Sequence, residues 1–434
     1  MQNKKGRKPD YSKGVRLWLT RAMLSLGFIS SKGLYLTDVK SNTFRHTLHS
    51  MKKDNLIATA SARTGGRATY LTDAVKISQL CGGGDEIGKC SEAYDRYGKV
   101  QKKKIMTDPK NAATKPGAVY QVSIEDVDDF LDSEAYAELS ARGRISAMER
   151  RVRTDRERAL RHNEASFMFI ASGVPVLADE RPSIDSIDNT HRPIAYYPSY
   201  EIRDAGPLEG KEKNKMAAGR LLGAYMLPYD IYPVYKFESH LLKYNGIDRE
   251  LYAMNFIRRT FFNQNSKTEQ KNYSANKSSA IFLYENDSTM AKMTIPPFTR
   301  KENESQYITT QSWLYNEMFA VPYIKESRAL IRLMAKEDWR QRIIHSVLGE
   351  GHKPIRALVV HDGFKDETYE LVFCVPDIKK LSAFIQIAHT YSDPSKYALY
   401  CYPWQEGFIR QLTSELYMNI IVVEDNLEEL KNGN

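Results

Sequence analysis

Two β-prone runs, Leu56 to Ser61 and Arg67 to Thr72, are separated by only five residues, Ala62-Arg63-Thr64-Gly65-Gly66. Gly-Gly supplies the positive φ angles that a tight hairpin demands, so this spacing predicts two antiparallel strands joined at Gly65-Gly66. What precedes them is helical. Val15, Trp18, Leu19, Ala22, Met23 and Leu26 recur on one helical face, and Gly27 is a usual stop for such a helix. A short second element is expected around Leu34 to Val39. Ser41-Asn42-Thr43 then offers N-cap candidates for a helix running to about Asp54.

Within that helix Phe44, Leu48 and Met51 point one way, while Arg45, His49, Lys52 and Lys53 fall on another face. Helix, short helix, capped basic helix, strand, Gly-Gly turn and strand resembles the winged-helix pattern over residues 12–80. The basic helix then takes the part of a recognition helix and the hairpin that of the wing. Lys40, Ser41, Asn42, Thr43, Arg45 and His46 fall where base edges come within range, His49, Lys52 and Lys53 follow on the same helix, and Arg63 and Arg67 flank the hairpin tip. Double-stranded DNA is the expected partner.

Charge supports that expectation. The first fifty-three residues hold twelve Lys and Arg against Asp10 and Asp38 alone, whereas the whole chain of 434 residues carries only +9. Residues 54–434 hold fifty-one basic and fifty-two acidic side chains, so attraction to polyanions is local. Lys4, Lys5, Arg7 and Lys8 read as an unstructured basic arm. Twenty-seven tyrosines fit extensive β structure better than a stacking surface.

Gly82-Gly83-Gly84, Lys102-Lys103-Lys104 and the turns Asp108-Pro109 and Lys115-Pro116-Gly117 read as an extended insertion or linker, assigned to residues 81–122. A basic helical connector is expected over 123–163, with Arg144, Arg150, Arg151, Arg153, Arg156, Arg158 and Arg161 interleaved with Glu149, Asp155 and Glu157. Arg150, Arg153 and Arg158 are its candidates for a second phosphate-tracking surface, against the alternative of a solvated helix laced with i,i+4 pairs.

Residues 164–434 are expected to form an α/β (α+β) region with a mixed sheet and partly parallel strands, with a possible split near 350. Strands are expected at 194–202, 220–226, 231–237, 280–284, 356–360, 369–374, 397–401 and 419–423. Helices are expected at 249–262, at 326–347 with a break near Asp338, at 377–389 and after Trp404. The four cysteines show neither CxxC spacing nor nearby histidine, which indicates no zinc site and no disulfide framework. A cytoplasmic protein without a membrane span is expected, since no apolar run is long enough to cross a bilayer.

No phosphate-cradling GxxxxGK[ST], GxSxG, HExxH or His-hydrophobic-His triplet occurs. Asp362 and Glu370 have roughly the spacing of the carboxylates of a PD-(D/E)XK nuclease, which would use magnesium. The position two beyond Glu370 is Val372, so the lysine would come from elsewhere, such as Lys379. The alternative is a plain turn at His361-Asp362-Gly363. Whether the chain is an enzyme stays open, leaning against, and no cofactor is expected otherwise.

The winged helix, the basic helix, Gly173-Val174-Pro175-Val176-Leu177-Ala178-Asp179-Glu180, and Gly219-Arg220-Leu221-Leu222-Gly223 followed by Tyr232-Pro233-Val234-Tyr235 resemble proteins of conjugative and integrative elements of Gram-positive bacteria. In organisation the chain is similar to the replication-relaxation family. That resemblance implies a winged helix ahead of a nuclease-like α/β domain, acting at element DNA in replication, transfer or maintenance, with other element-encoded proteins as further partners. The alternatives are a metal-dependent nuclease or nicking enzyme and a winged-helix transcriptional regulator. A winged-helix monomer has a small footprint, which favours a homodimer, although no heptad repeat marks one.

Overall fold

The computed structural model describes residues 10–61, 66–107, 141–187, 191–205, 220–237, 256–257, 279–294, 315–352, 360–390, 393–414 and 416–432, without the side chains of 141–151 and 432. The chain divides into two units. The first comprises Met1–Ala171, Pro175–Ile187 and Tyr200–Asn214, and the second Ser172–Val174, Asp188–Ser199 and Lys215–Asn434. The chain is of the α/β class, with parallel and antiparallel pairings in its sheets.

The first unit begins with α1 (Gly14–Leu26), β1 (Ile29–Ser30), α2 (Ser31–Leu36), α3 (Ser41–Lys53), β2 (Ile57–Ser61) and β3 (Arg67–Leu71). The strands form an antiparallel sheet in the order β1-β3-β2, with Ile29 opposite Thr69 and Ile57 opposite Leu71. α1 ends at Gly27, whose φ of 83° lets its N–H reach the Met23 carbonyl at 2.9 Å. The Trp18 ring packs against Phe44 of α3 at 5.9 Å and edge-on against Phe167 at 6.2 Å.

Residues 85–106 do not form an extended linker. After α4 (Ala74–Leu80), α5 (Asp85–Ala93) and α6 (Lys99–Met106) are joined without a break by a π-helical turn, Tyr94–Gly98. Ile87, Cys90, Tyr94, Tyr97, Gln101 and Ile105 are buried at spacings of three or four, the mark of one inward face. Gly27 and Gly98 allow the close approach to α1. A Cβ on Gly27 would lie 2.3 Å from the Gly98 carbonyl oxygen, and one on Gly98 would lie 2.8 Å from that of Leu24.

The arginine-rich helix α7 (Ala141–Ala171) overruns the expected connector and is part of this unit's core. Ala159 and Leu160 cluster with Phe28, Ala68 and Ile105. Buried Asn163 accepts from the Ser30 N–H at 2.9 Å and donates to the Phe28 carbonyl at 2.6 Å, so one amide pins both sides of β1. Residues 108–140, which include the start of the expected connector, lie outside the described residues. α8 (Ser199–Ala205) contributes Glu201, which holds buried Arg181 in a two-pronged ion pair at 2.8 Å.

In the second unit β4 (Ala195–Pro198), β5 (Gly223–Met226), β6 (Ile231–Phe237), β7 (Ser279–Tyr284) and β8 (Glu317–Pro322) make one sheet in that order. β4, β5 and β6 are antiparallel, and β6, β7 and β8 parallel. Every residue of β4 to β7 is buried, as in a sheet covered on both faces. The expected hairpin at Leu227-Pro228-Tyr229-Asp230 forms, with Leu227 N–H bonded to the Asp230 carbonyl at 2.9 Å. The strand expected over 194–202 is shorter, because after Pro198 the chain turns into α8.

α9 (Asp287–Thr294) follows β7; α10 (Arg328–Leu333) and α11 (Trp339–Leu348) carry the expected break before Asp338. A second sheet is ordered β12-β11-β10-β9, built from β9 (Gly363–Lys365), β10 (Thr368–Val372), β11 (Tyr397–Cys401) and β12 (Asn419–Val422). β10, β11 and β12 are parallel and β9 is antiparallel, with α12 (Ile378–Thr390) and α13 (Pro403–Leu412) as crossovers and α14 (Leu427–Asn432) closing the chain. Both sheets belong to one unit, so no unit boundary falls near 350. They are stitched together by the Ala320 N–H to Pro376 carbonyl bond of 2.9 Å and by buried Asp377, whose Oδ1 accepts from Met318 N–H at 3.1 Å and Lys379 N–H at 3.0 Å.

The helix expected at 249–262 and the strand expected at 356–360 lie almost wholly outside the described residues. The four cysteines are buried free thiols. Among the described residues no helix is long and apolar enough to cross a membrane.

Candidate nucleic-acid interface

α3 buries Phe44, Thr47 and Met51 and leaves the expected contact residues outside. Lys40, Ser41, Asn42, Thr43, Arg45, His46, His49, Lys52 and Lys53 are all exposed. Leu48 is only half-buried, and Thr47 takes the inward position between Phe44 and Met51. No acidic residue occurs in the helix, and its last turn carries Lys52 and Lys53.

The N-cap is Lys40, not Ser41, Asn42 or Thr43, and it makes no side-chain cap. The three small polar residues occupy the first turn of the helix proper, with their side chains free to face a ligand instead of their own backbone. A first turn without a carboxylate keeps the positive end of the helix dipole uncompensated, which favours an approaching anion. At the other end Tyr11 donates to Asp54 Oδ2 at 2.6 Å, tying the residue after α3 to the segment before α1.

α2 adds exposed Lys32 and Tyr35, the latter 73% accessible, which the sequence pattern does not single out. Arg67 is exposed at the tip end of β3, and its N–H bonds to Ser31 Oγ at 3.0 Å. Arg63 and the hairpin tip lie outside the described residues, as does the basic arm at Lys4 to Lys8.

The three candidates on α7 separate. Arg153 is exposed. Arg158 is half-buried, and its Nε donates to buried His162 Nε2 at 3.4 Å. The Arg150 side chain lies outside the described set. Arg156 donates to the Ser61 carbonyl at the tip end of β2, whereas Asn163 and Phe167 lie against β1, α1 and α2. α7 therefore runs from the hairpin tip into the core, and its fifteen residues before Arg156 continue about 22 Å outward from that anchor.

In the second unit the two candidate carboxylates are held by separate partners. β9 and β10 pair with Gly363 opposite Glu370, and Asp362 lies just before β9, where its N–H bonds to the Glu370 carbonyl at 2.7 Å. Glu370 is hydrogen-bonded to His352 Nδ1 and accepts from Tyr400 OH at 2.9 Å. Asp362 instead accepts from the Val372 N–H at 2.9 Å and pairs with Lys380 on α12. Lys379, the expected lysine, is not that partner; burial lowers its pKa. The expected turn at His361-Asp362-Gly363 is displaced to Asp366-Glu367, both with positive φ, at the head of the β9-β10 hairpin. Among the described residues no group of three His, Cys, Asp or Glu could hold a metal ion.

No protein-family model, curated protein or solved structure matches the chain. Its functional reading therefore rests on its own geometry.

Proposed function

We propose that the chain is a sequence-specific double-stranded-DNA-binding protein of winged-helix type, acting on a plasmid or conjugative element in its replication, transfer or maintenance. The observation that carries this reading is the partition of α3. Nine polar or basic candidates from Lys40 to Lys53 face solvent, with no carboxylate on the helix, while Phe44, Thr47 and Met51 anchor it. The order α1-β1-α2-α3-β2-β3, with β1 pairing to β3, supports the winged-helix assignment. In such an arrangement the first turn of α3 reads base edges, and Lys52, Lys53 and Arg67 hold phosphates.

Duplexes selected from a random pool by the full chain, titrated over a range of salt, test the proposal. Arg45→Ala and Asn42→Ala are expected to relax the preference at single positions by about 1–3 kcal/mol. Lys52→Ala is expected to weaken all sequences alike and to lower the salt slope by about one. A folded protein that binds no duplex in a salt-sensitive manner would contradict the proposal.

A further inference from the structure

A groove of about 430 Å³ on the first unit is lined by Tyr94, Lys99, Lys102, Lys103, Met106 and Thr107. Three of its six lining residues are lysines and none is acidic. α6, which supplies most of them, carries four lysines and no carboxylate; Lys99 pairs with Asp95 one turn before it, at 2.6 Å. The favourable placing of Lys103 and Lys104 at a helix C-terminus accounts for two of these charges. It does not account for Lys102, which stands further back.

The groove adjoins the hairpin. Lys102 Nζ stands 5.5 Å above the Tyr70 ring on β3, and Ile105 packs with Ala68 nearer the tip. α6 therefore runs along the hairpin toward its tip, on the sheet face that carries Ala68 and Tyr70. Burial lowers the pKa of Lys102, so a neighbouring anion would relieve the cost of its charge.

We propose that this groove holds the sugar-phosphate backbone of the duplex bound by α3, as a second contact alongside the wing. The inference rests on the DNA-binding reading and extends it to residues 94–107. Charge complementarity selects the occupant. Lys99 and Lys103 lie one turn apart, about 6 Å along the helix, which is on the scale of the spacing between neighbouring phosphates of one strand. Contacts of this kind carry no base information, so they add affinity and salt dependence without changing the preferred sequence.

The test uses the full chain with Lys99, Lys102 and Lys103 all changed to Gln, and separately Lys103→Glu, whose exposed side chain makes misfolding a minor risk; circular dichroism checks both. The triple variant is expected to lower the salt slope by about two to three and affinity at least tenfold on every duplex, with base preference intact. Lys103→Glu is expected to act in the same direction. An unchanged slope in both variants, with Arg45→Ala still altering base preference, overturns the groove assignment and leaves the α3 reading standing; the groove then suits another anion, such as an acidic protein segment. A wild-type chain that binds no duplex overturns both.

Discussion

Gly27→Ala is expected to destabilise the first unit by roughly 4 kcal/mol, lowering its melting temperature by about 10 °C. Two costs act together. Residue 27 sits at φ 83°, where a side chain is strained, and the new Cβ would meet the Gly98 carbonyl oxygen at 2.3 Å. Backbone cannot swing aside as the end of a flexible side chain can, so relief requires α1 and the π turn to part. Gly82→Ala separates the two costs, since φ there is 92° but nothing lies within 4 Å of the added Cβ. That variant should lose only about 1 kcal/mol. Thermal unfolding followed by Trp18 fluorescence would reveal the difference, and equal losses in the two variants would refute the proposed clash.

Asp377 carries the second large effect. Its carboxylate is buried between the two sheets of the second unit, and that burial raises its pKa to about 6, from 3.8, despite the N–H groups of Met318, Lys379 and Lys380 that bond to it. The folded state thus binds the proton more tightly than the unfolded one. Stability from this group is fully present below pH 3.8 and is lost as pH rises through about 6, a span of about 3 kcal/mol. Asp377→Asn removes the charge and keeps Oδ1 as acceptor, so a gain of about 1–3 kcal/mol is expected at pH 8 and little at pH 4. Asp377→Ala leaves three N–H groups without that acceptor and should cost about 3 kcal/mol at pH 4 but much less at pH 8, where it also removes the buried charge. Urea unfolding of the second unit at both pH values measures these changes, and an Asn variant weaker than wild type at pH 8 would show the charge to be tolerated.

Where local chemistry decides an element, the chain could be read directly. Gly27 ends α1, Leu227-Pro228-Tyr229-Asp230 turns the β5-β6 hairpin, and the exposed positions of α3 follow from its period. The reading of 81–122 went astray because three glycines and three lysines outweighed the spacing of Ile87, Cys90, Tyr94, Tyr97, Gln101 and Ile105. That spacing was the available signal for α5 and α6, and with them for the lysine groove. Asp362 and Glu370 needed the strand register, which depends on a turn at Asp366-Glu367 that contains neither glycine nor asparagine. Once the turn is known, the register sets Gly363, not Asp362, opposite Glu370, and each carboxylate goes to partners of its own. The half-buried Arg158 depended on His162 and on α7 continuing to Ala171, neither of which a count of arginines contains.

Asn163 and Arg181 also set the order in which the first unit can be completed during synthesis. The strand β1 waits for an amide more than 130 residues downstream, and Arg181 for Glu201. A ribosome that has released only residues 1–80 has therefore exposed Phe28 and Ala68 without the α6 and α7 side chains that cover them. The first unit closes only after residue 201 has emerged, and a fragment cut at residue 80 would carry an uncovered apolar face.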